Sequence, residues 1–160
     1  WFEAPDGLQY FNDPERTAAA QSPDGALSTV GDIGYLDEDG YLFLTDRQSF
    51  LIISGGVNIS PQECEDLLIV HPKVEDAAVI GVPNDDLGEE VKAVVQLVGG
   101  VEPTNDVAAE LMAYCRANLA AHKCPRSIDF DAHLPRLPTG KLYKRLLVDR
   151  YRAAADAARA

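Results

Sequence analysis

Two strand-like runs in the middle of the chain constrain its fold most. Residues 74–82 and 91–98 are rich in β-branched side chains, which are enriched in strands, and the turn-forming segment 83–88 separates them. Gly99 and Gly100 end the second run. The pattern predicts two neighbouring strands, and we expect the hydrophobic core to begin there.

Helix signals flank this pair of strands. Ser60 is expected to be an N-cap, with Pro61 at the first helical position and Glu63 completing a capping box, before Pro72 stops the helix. Thr104 is expected to cap a second helix. A third strand over 127–130 and a last helix over about 144–158 complete this part of the chain.

Two hairpins precede these elements. Residues 34–44 contain two apolar and aromatic runs joined by an Asp-Gly turn, and strands over 50–53 and 57–59 flank Ser54-Gly55-Gly56. Upstream, turn signals such as Pro5-Asp6-Gly7 indicate loops. The predicted class is α+β: a small domain, residues 48–160, with a three-stranded sheet, an extra two-stranded hairpin and flanking helices, preceded by a hairpin-bearing segment, residues 1–47.

Composition excludes several classes of protein. With 46% hydrophobic residues the chain has ordinary globular composition, and no run is long enough for a membrane span. The net charge of -12 disfavours nonspecific nucleic-acid binding, although residues 122–160 carry nine Lys/Arg against four Asp/Glu. The three cysteines and three histidines share no metal-ligand spacing, which indicates reduced core thiols in a cytoplasmic protein. The start lacks an initiator Met, so we expect a larger protein.

Lys141 is the main candidate for a functional residue. Pro138 and Gly140 are turn formers, so the lysine should stand at a loop tip where its ammonium can act on a bound anion; the alternative is an exposed turn lysine without function. A phosphate-binding P-loop is excluded, because Pro135 and Leu142 occupy positions where it needs Gly and Ser or Thr. The lysine would therefore work as a movable point charge.

Asp32 and Arg47 are two further candidates. Asp32 lies in a glycine-bounded turn, where its carboxylate could accept from the vicinal hydroxyls of a ribose, or could form a local Asx turn. Arg47 offers a guanidinium where the first hairpin ends, and the alternative there is a weak surface ion pair.

Together, these segments resemble the carboxy-terminal motifs of adenylate-forming enzymes, specifically acyl-CoA synthetases of the fatty-acyl-CoA ligase type. The resemblance extends from about Tyr10 to Arg150. The motifs that carry it are Gly31-Asp32-Ile33-Gly34, Asp46-Arg47, residues 52–61 with Glu63 and Glu65, and Pro138-Thr139-Gly140-Lys141.

The resemblance implies a two-step reaction by the whole enzyme: a carboxylate and ATP give acyl-adenylate and pyrophosphate, and CoA then displaces AMP. Lys141 corresponds to the adenylation lysine, Asp32 to the ribose-hydroxyl acceptor and Arg47 to a basic residue near the nucleotide. Ser54, Gly55 and Gly56 correspond to the loop that lines the CoA tunnel. Ser49 falls at the hinge position, where the family usually has Lys or Asp.

The resemblance also implies what these 160 residues do not encode. The acyl pocket, the glycine-rich ATP loop and the ligands of Mg²⁺ are expected in a large amino-terminal domain, so the isolated segment should be inactive. Fatty or similar hydrophobic acids are the expected substrates in lipid metabolism, and the sequence leaves a homodimer open. Two alternatives are an enzyme that loads an acyl carrier protein or oxidises its adenylate, and a non-enzymatic interaction domain.

Overall fold

The chain forms two compact units, Trp1–Ser49 and Phe50–Ala160, which we call unit 1 and unit 2. The computed structural model describes residues 1–4 and 7–159. The turn expected at Pro5 and Asp6 lies outside the described residues, as does the side chain of Asp46.

Unit 1 consists of short elements and one longer hairpin. Asp13 caps its helix, since the Asp13 carboxylate accepts from the Arg16 N–H at 2.9 Å. The hairpin predicted over 34–44 is confirmed, and the rings of Tyr35 and Phe43 stack across it with centroids 5.2 Å apart. The elements are β1 (Phe2–Glu3), α1 (Pro14–Ala19), β2 (Leu27–Ser28), β3 (Asp32–Leu36) and β4 (Leu42–Arg47).

Unit 2 alternates strands with helices along the chain. A 3-10 helix at Gln48–Phe50 includes the last two residues of unit 1 and the first residue of unit 2, and another lies at Ala121–Lys123. The remaining elements are β5 (Ile52–Ser54), β6 (Val57–Ile59), α2 (Gln62–Ile69), β7 (Val74–Asn84), β8 (Gly88–Leu97), α3 (Asn105–Asn118), β9 (Ser127–Phe130) and α4 (Lys144–Arg159).

The strands of unit 2 form a single five-stranded sheet in the order β6-β5-β8-β7, with β9 pairing in parallel with β8. The predicted strands are confirmed, but the hairpin expected to be separate from the three-stranded sheet is joined to it. Ser54 of β5 lies opposite Gly88 of β8, and the Gly55 N–H donates to the Leu87 carbonyl at 2.9 Å. These contacts are made by backbone atoms, which nearly every residue has, so the sequence does not indicate that β5 pairs with β8.

Both faces of the β7-β8 pair are buried, which explains their nearly continuous apolar sequences. Successive side chains of a strand point to opposite faces. Val79 and Val95 pack with residues of α2 and α3, whereas Ile80 and Val94 pack with Leu147 of α4. Unit 2 therefore has α2 and α3 on one face of its sheet and α4 on the other.

The two predicted helix caps have different outcomes. Thr104 is the N-cap of α3, and its hydroxyl accepts from the Val107 N–H at 3.3 Å, as expected. The capping box at Ser60 and Glu63 is wrong, because α2 begins one residue later with Pro61 at the N-cap and no side-chain cap. The Glu63 carboxylate instead pairs with Lys123 at 2.6 Å.

Two ionised carboxylates, Asp129 in β9 and Asp131 directly after it, bond to side chains of α4. Burial opposes ionisation of Asp129, but hydrogen bonds from Tyr151 and Lys92 outweigh it and lower its pKa. The Arg150 guanidinium, 2.8 Å from the Asp131 carboxylate, lowers the pKa of Asp131. Both carboxylates that anchor α4 are thus charged at neutral pH.

The three cysteines are free and buried, as predicted for core thiols. A hydrogen bond with Cys115, together with burial, raises the pKa of Cys64, and burial raises the pKa of Cys124. These side chains contribute to the core of unit 2 on the side of α2 and α3.

Candidate active site

Lys141 stands at the end of a tight loop between β9 and α4. Two hydrogen bonds close the loop: the Leu137 N–H donates to the Lys141 carbonyl and the Gly140 N–H to the Leu137 carbonyl, each at 2.8 Å. Gly140 has φ 83°, the positive value expected of a glycine in this loop. The Lys141 side chain is exposed, and within residues 1–4 and 7–159 its ammonium has no hydrogen bond or ion pair. Its charge is therefore available to an anion.

Other basic side chains near this loop have acidic partners. Arg136 pairs with Asp76 on β7, and Lys144, the first residue of α4, pairs with Glu65 at 2.8 Å. Because these charges are compensated, the basic character of the chain end is weaker than its sequence indicates. Lys141 differs from them in having no such partner in the described part of the chain.

The Glu65–Lys144 pair is almost completely enclosed, with side chains 6% and 10% exposed. The second oxygen of Glu65 accepts from the Val79 N–H at 2.6 Å, so one carboxylate joins α2, β7 and α4. The Lys144 ammonium also lies 5.4 Å from the centre of the Phe50 ring. This pair fixes where α4 begins, three residues after Lys141.

Asp32 and Arg47 lie directly opposite each other on β3 and β4. The Arg47 Nε–H donates to Asp32 Oδ1 at 2.9 Å, and the side chains of Arg47 and Asp32 are 59% and 25% exposed. The local Asx turn considered for Asp32 is not the contact observed, whereas the ion pair considered for Arg47 is. A carboxylate has about four lone-pair sites, so Asp32 can accept further hydrogen bonds. The pair belongs to unit 1, and Lys141 belongs to unit 2.

An open depression of about 360 Å³ adjoins Arg47 within unit 1. Arg16 and Tyr10 also line it, and the Arg16 guanidinium lies 4.0 Å from the centre of the Tyr10 ring. Two guanidinium groups in one depression favour an anionic ligand. Sequence reasoning missed Arg16, because it stands in an alanine-rich piece without a motif. Ser49 also lines this depression and is exposed.

The β5-β6 hairpin turns at two glycines. Gly55 and Gly56 have φ 57° and 79°, which matches the type I′ turn of a two-residue hairpin. Both are exposed, and Ser54 is half-buried beside them. A side chain at position 55 would also approach Leu87 to 3.3 Å. The hairpin tip therefore presents exposed backbone without side chains at positions 55 and 56.

The described residues contain neither a membrane-spanning helix nor a cluster of metal-ligating side chains. In 1–4 and 7–159, no helix has the length and apolarity needed to cross a membrane. The same ranges contain no group of three or more His, Cys, Asp or Glu side chains suited to a metal ion.

Comparison with known families identifies most of unit 2. Residues 63–141 match the model of the AMP-binding enzyme C-terminal domain, and the match ends at Lys141. These residues belong to that family. The resemblance to adenylate-forming enzymes drawn from the motifs is thereby confirmed.

Curated relatives extend the similarity into unit 1. The chain is 47% identical to a 2-succinylbenzoate–CoA ligase of Geobacillus kaustophilus over 86% of its length, covering 27% of that protein. It is 42% identical to a crotonobetaine/carnitine–CoA ligase of Proteus mirabilis, covering 87% of the chain and 26% of the relative. A long-chain-fatty-acid–CoA ligase of Bacillus subtilis is 41% identical, with 88% and 24% covered. The chain thus spans about a quarter of these proteins.

Solved structures agree with this assignment. An ATP-bound RpMatB-BxBclM chimera matches with TM-score 0.81 and 38% identity, covering 89% of the chain and 28% of that structure. The amide bond synthetase McbA from Marinactinospora thermotolerans matches with TM-score 0.72 and 40% identity, with 89% and 28% covered. The α+β class and the arrangement of sheet and helices are those of the C-terminal part of adenylate-forming enzymes.

Proposed function

We propose that the protein containing this chain is an ATP-dependent acyl-CoA ligase that converts a carboxylate, ATP and CoA to acyl-CoA, AMP and pyrophosphate through an acyl-adenylate. The observation that carries the proposal is the exposed ammonium of Lys141, which has no partner in the described residues and lies on a closed loop. The three curated relatives described above are each named as a CoA ligase, which supports the reaction class.

Lys141 acts in the first step by electrostatic stabilisation. Its ammonium contacts the attacking carboxylate and the oxygens around the α-phosphorus, where negative charge develops in the transition state. The lysine does not transfer a proton, because its ammonium only attracts and orients the attacking carboxylate and the phosphate oxygens. Asp32 accepts from the ribose hydroxyls, and Arg47 holds the Asp32 carboxylate while adding positive charge near the nucleotide.

The β5-β6 hairpin acts in the second step. Ser54, Gly55 and Gly56 line the path of the pantetheine arm, and their small size lets it pass against the backbone. Unit 2 rotates between the two steps, and Ser49 serves as the hinge. The end of unit 1 at Ser49 supports this assignment, since hinges lie where few contacts cross.

Residues 1–47 are proposed to be the last part of a large adenylation domain, and residues 48–160 its mobile lid. Exposed apolar side chains of unit 1 support this proposal. Among them, Trp1, Phe11 and Leu44 have exposed fractions of 68%, 94% and 63%. Such surface is characteristic of an interface, here with the remainder of the same domain.

Several parts of the reaction are assigned to residues beyond these 160. We expect the acyl pocket and the ligands of Mg²⁺ there, so the isolated chain is inactive. Hydrophobic acids are the proposed substrates, supported by the fatty-acid ligase among the relatives. A cytoplasmic location and a homodimer are part of the same hypothesis.

The test is to assay the full-length protein for AMP release with a panel of carboxylic acids. The proposal predicts that release requires ATP, a carboxylic acid and CoA together. Release that needs an acyl carrier protein in place of CoA would favour the carrier-loading alternative, and an amine requirement would indicate the chemistry named for McbA. Absence of nucleotide turnover, with normal cellular function after Lys141→Ala, would indicate an interaction domain.

A further inference from the structure

Arg136 joins the Lys141 loop to the sheet of unit 2. One guanidinium nitrogen, Nη1, donates to the Gly140 carbonyl at 2.6 Å, and the other, Nη2, pairs with Asp76 Oδ2. A guanidinium holds its donors in a rigid planar fork, so the two contacts fix each other's direction. The loop is thus connected through one side chain to β7.

The Asp76 end of this connection is mostly buried and has a second contact of its own. Asp76 lies near the start of β7, where the register with β8 shifts, and its side chain is 14% exposed. Its other oxygen accepts from the Ala77 N–H at 3.0 Å. A carboxylate held by backbone and by a guanidinium has little freedom to rotate, and it therefore gives Arg136 a fixed point on the sheet.

The Gly140 end of the connection lies directly before Lys141. The Gly140 carbonyl belongs to the peptide group that joins Gly140 to Lys141, and a peptide group is planar. Holding that oxygen therefore restricts the direction in which the Lys141 side chain leaves the backbone. Closure of the loop does not need Arg136, because the two backbone bonds between residues 137 and 141 already provide it.

We propose that Arg136 is a positioning residue for adenylation, and that it orients Lys141 through the Gly140 carbonyl while anchored on Asp76. This inference rests on the proposed function. Its contribution to folding should be smaller than that of the Glu65–Lys144 pair, because Arg136 is 46% exposed whereas Lys144 is 10% exposed. Its contribution to rate is larger, since a displacement of about 1 Å at a reacting group can cost roughly a hundredfold.

The experiment uses the full-length enzyme and measures two half-reactions separately. Pyrophosphate release reports adenylation, and thioester formation from supplied acyl-adenylate and CoA reports the second step. Arg136→Met should slow adenylation about 10- to 100-fold and change thioester formation less than about threefold. Arg136→Lys should remain at least about fivefold slow in adenylation, because a single ammonium cannot replace the fork.

Arg145→Met is the matched control. Arg145 lies four residues after Lys141, so this change removes the same charge from the same region of the chain. Its side chain is 79% exposed, and its contact with Asp149 is 3.9 Å long. Both half-reactions should stay within about twofold of wild type, because an exposed pair of this kind has little energy. An equal loss in Arg145→Met and Arg136→Met would overturn the inference, since net charge would then explain the effect.

A double variant distinguishes orientation from direct contact with the nucleotide. If Arg136 acts only through Lys141, Arg136→Met should add less than about a twofold loss in a Lys141→Ala background. Amide exchange of residues 137–141 should also accelerate in Arg136→Met while β8 stays protected. Independent losses, or equal losses in both half-reactions, would contradict the inference.

The outcomes separate this inference from the proposed function. A wild-type protein that forms no acyl-adenylate would overturn both. A wild-type enzyme that adenylates normally, is impaired by Lys141→Ala and is unaffected by Arg136→Met would overturn the role of Arg136 alone.

Discussion

Replacing one member of the buried Glu65–Lys144 pair should strongly destabilise unit 2. At the observed 2.8 Å and an effective dielectric constant of about 20, the attraction between the two charges is roughly 6 kcal/mol. Much of it offsets the cost of removing both charges from water. Lys144 is the first residue of α4, where the positive end of the helix dipole disfavours a cation. The attraction to Glu65 must therefore also offset this repulsion.

Removing one partner leaves the other charge enclosed. We therefore expect Lys144→Met or Glu65→Gln to lower the free energy of unfolding of unit 2 by about 3–5 kcal/mol. That is a large part of the roughly 5–15 kcal/mol typical of a domain. The double variant should recover at least about 2 kcal/mol relative to the sum of the single changes, because neither charge remains.

The assay is urea unfolding of the 160-residue chain, followed by amide exchange in β7 and β8 so that unit 2 is observed separately. Asp149→Asn is the matched control, because its partner Arg145 is exposed and 3.9 Å away, and it should cost less than about 0.5 kcal/mol. Single variants within about 1 kcal/mol of wild type, or strictly additive effects in the double variant, would show that the Glu65–Lys144 pair does not stabilise unit 2 in this way.

Two further predictions concern helix ends and acid. Thr104→Ala removes the hydroxyl that accepts from the Val107 N–H and should lower the stability of unit 2 by about 1 kcal/mol in urea, whereas Thr104→Ser should restore most of it. The lowered pKa values of Asp129 and Asp131 mean that their stabilisation is present above about pH 4 and is lost as the pH falls below the ordinary carboxyl range. Asp129→Asn with Asp131→Asn should flatten that acid dependence, and an unchanged slope between about pH 4 and 2 would contradict the assignment.

Local patterns in the sequence predicted most elements of the fold. The β-branched runs predicted β7 and β8, the Asp-Gly turn predicted the β3-β4 hairpin, and Thr104 predicted the start of α3. Each of these signals depends only on residues that are close together in the chain, and it can therefore be read without knowing the tertiary contacts. Ser60 was wrong as a cap because a favourable residue type does not determine which of two adjacent positions begins the helix.

The contacts that hold the candidate site could not be predicted in this way. Arg136 and Asp76 are 60 residues apart, and nothing in the composition of either segment indicates its partner. The same holds for Glu65 and Lys144, which are brought together only when α2 and α4 pack on the sheet. The sequence pointed to Lys141 and to its loop, whereas the side chains that support the loop appeared only in the folded structure.

The role of Lys141 is tested most directly by the effect of Lys141→Ala on the two half-reactions of the full-length enzyme. We expect pyrophosphate release from ATP and the acid to fall by about 10²–10³, the loss typical of one transition-state donor, while thioester formation from supplied acyl-adenylate is largely kept. An equal fall in both half-reactions, or unchanged adenylation, would contradict the role given to Lys141.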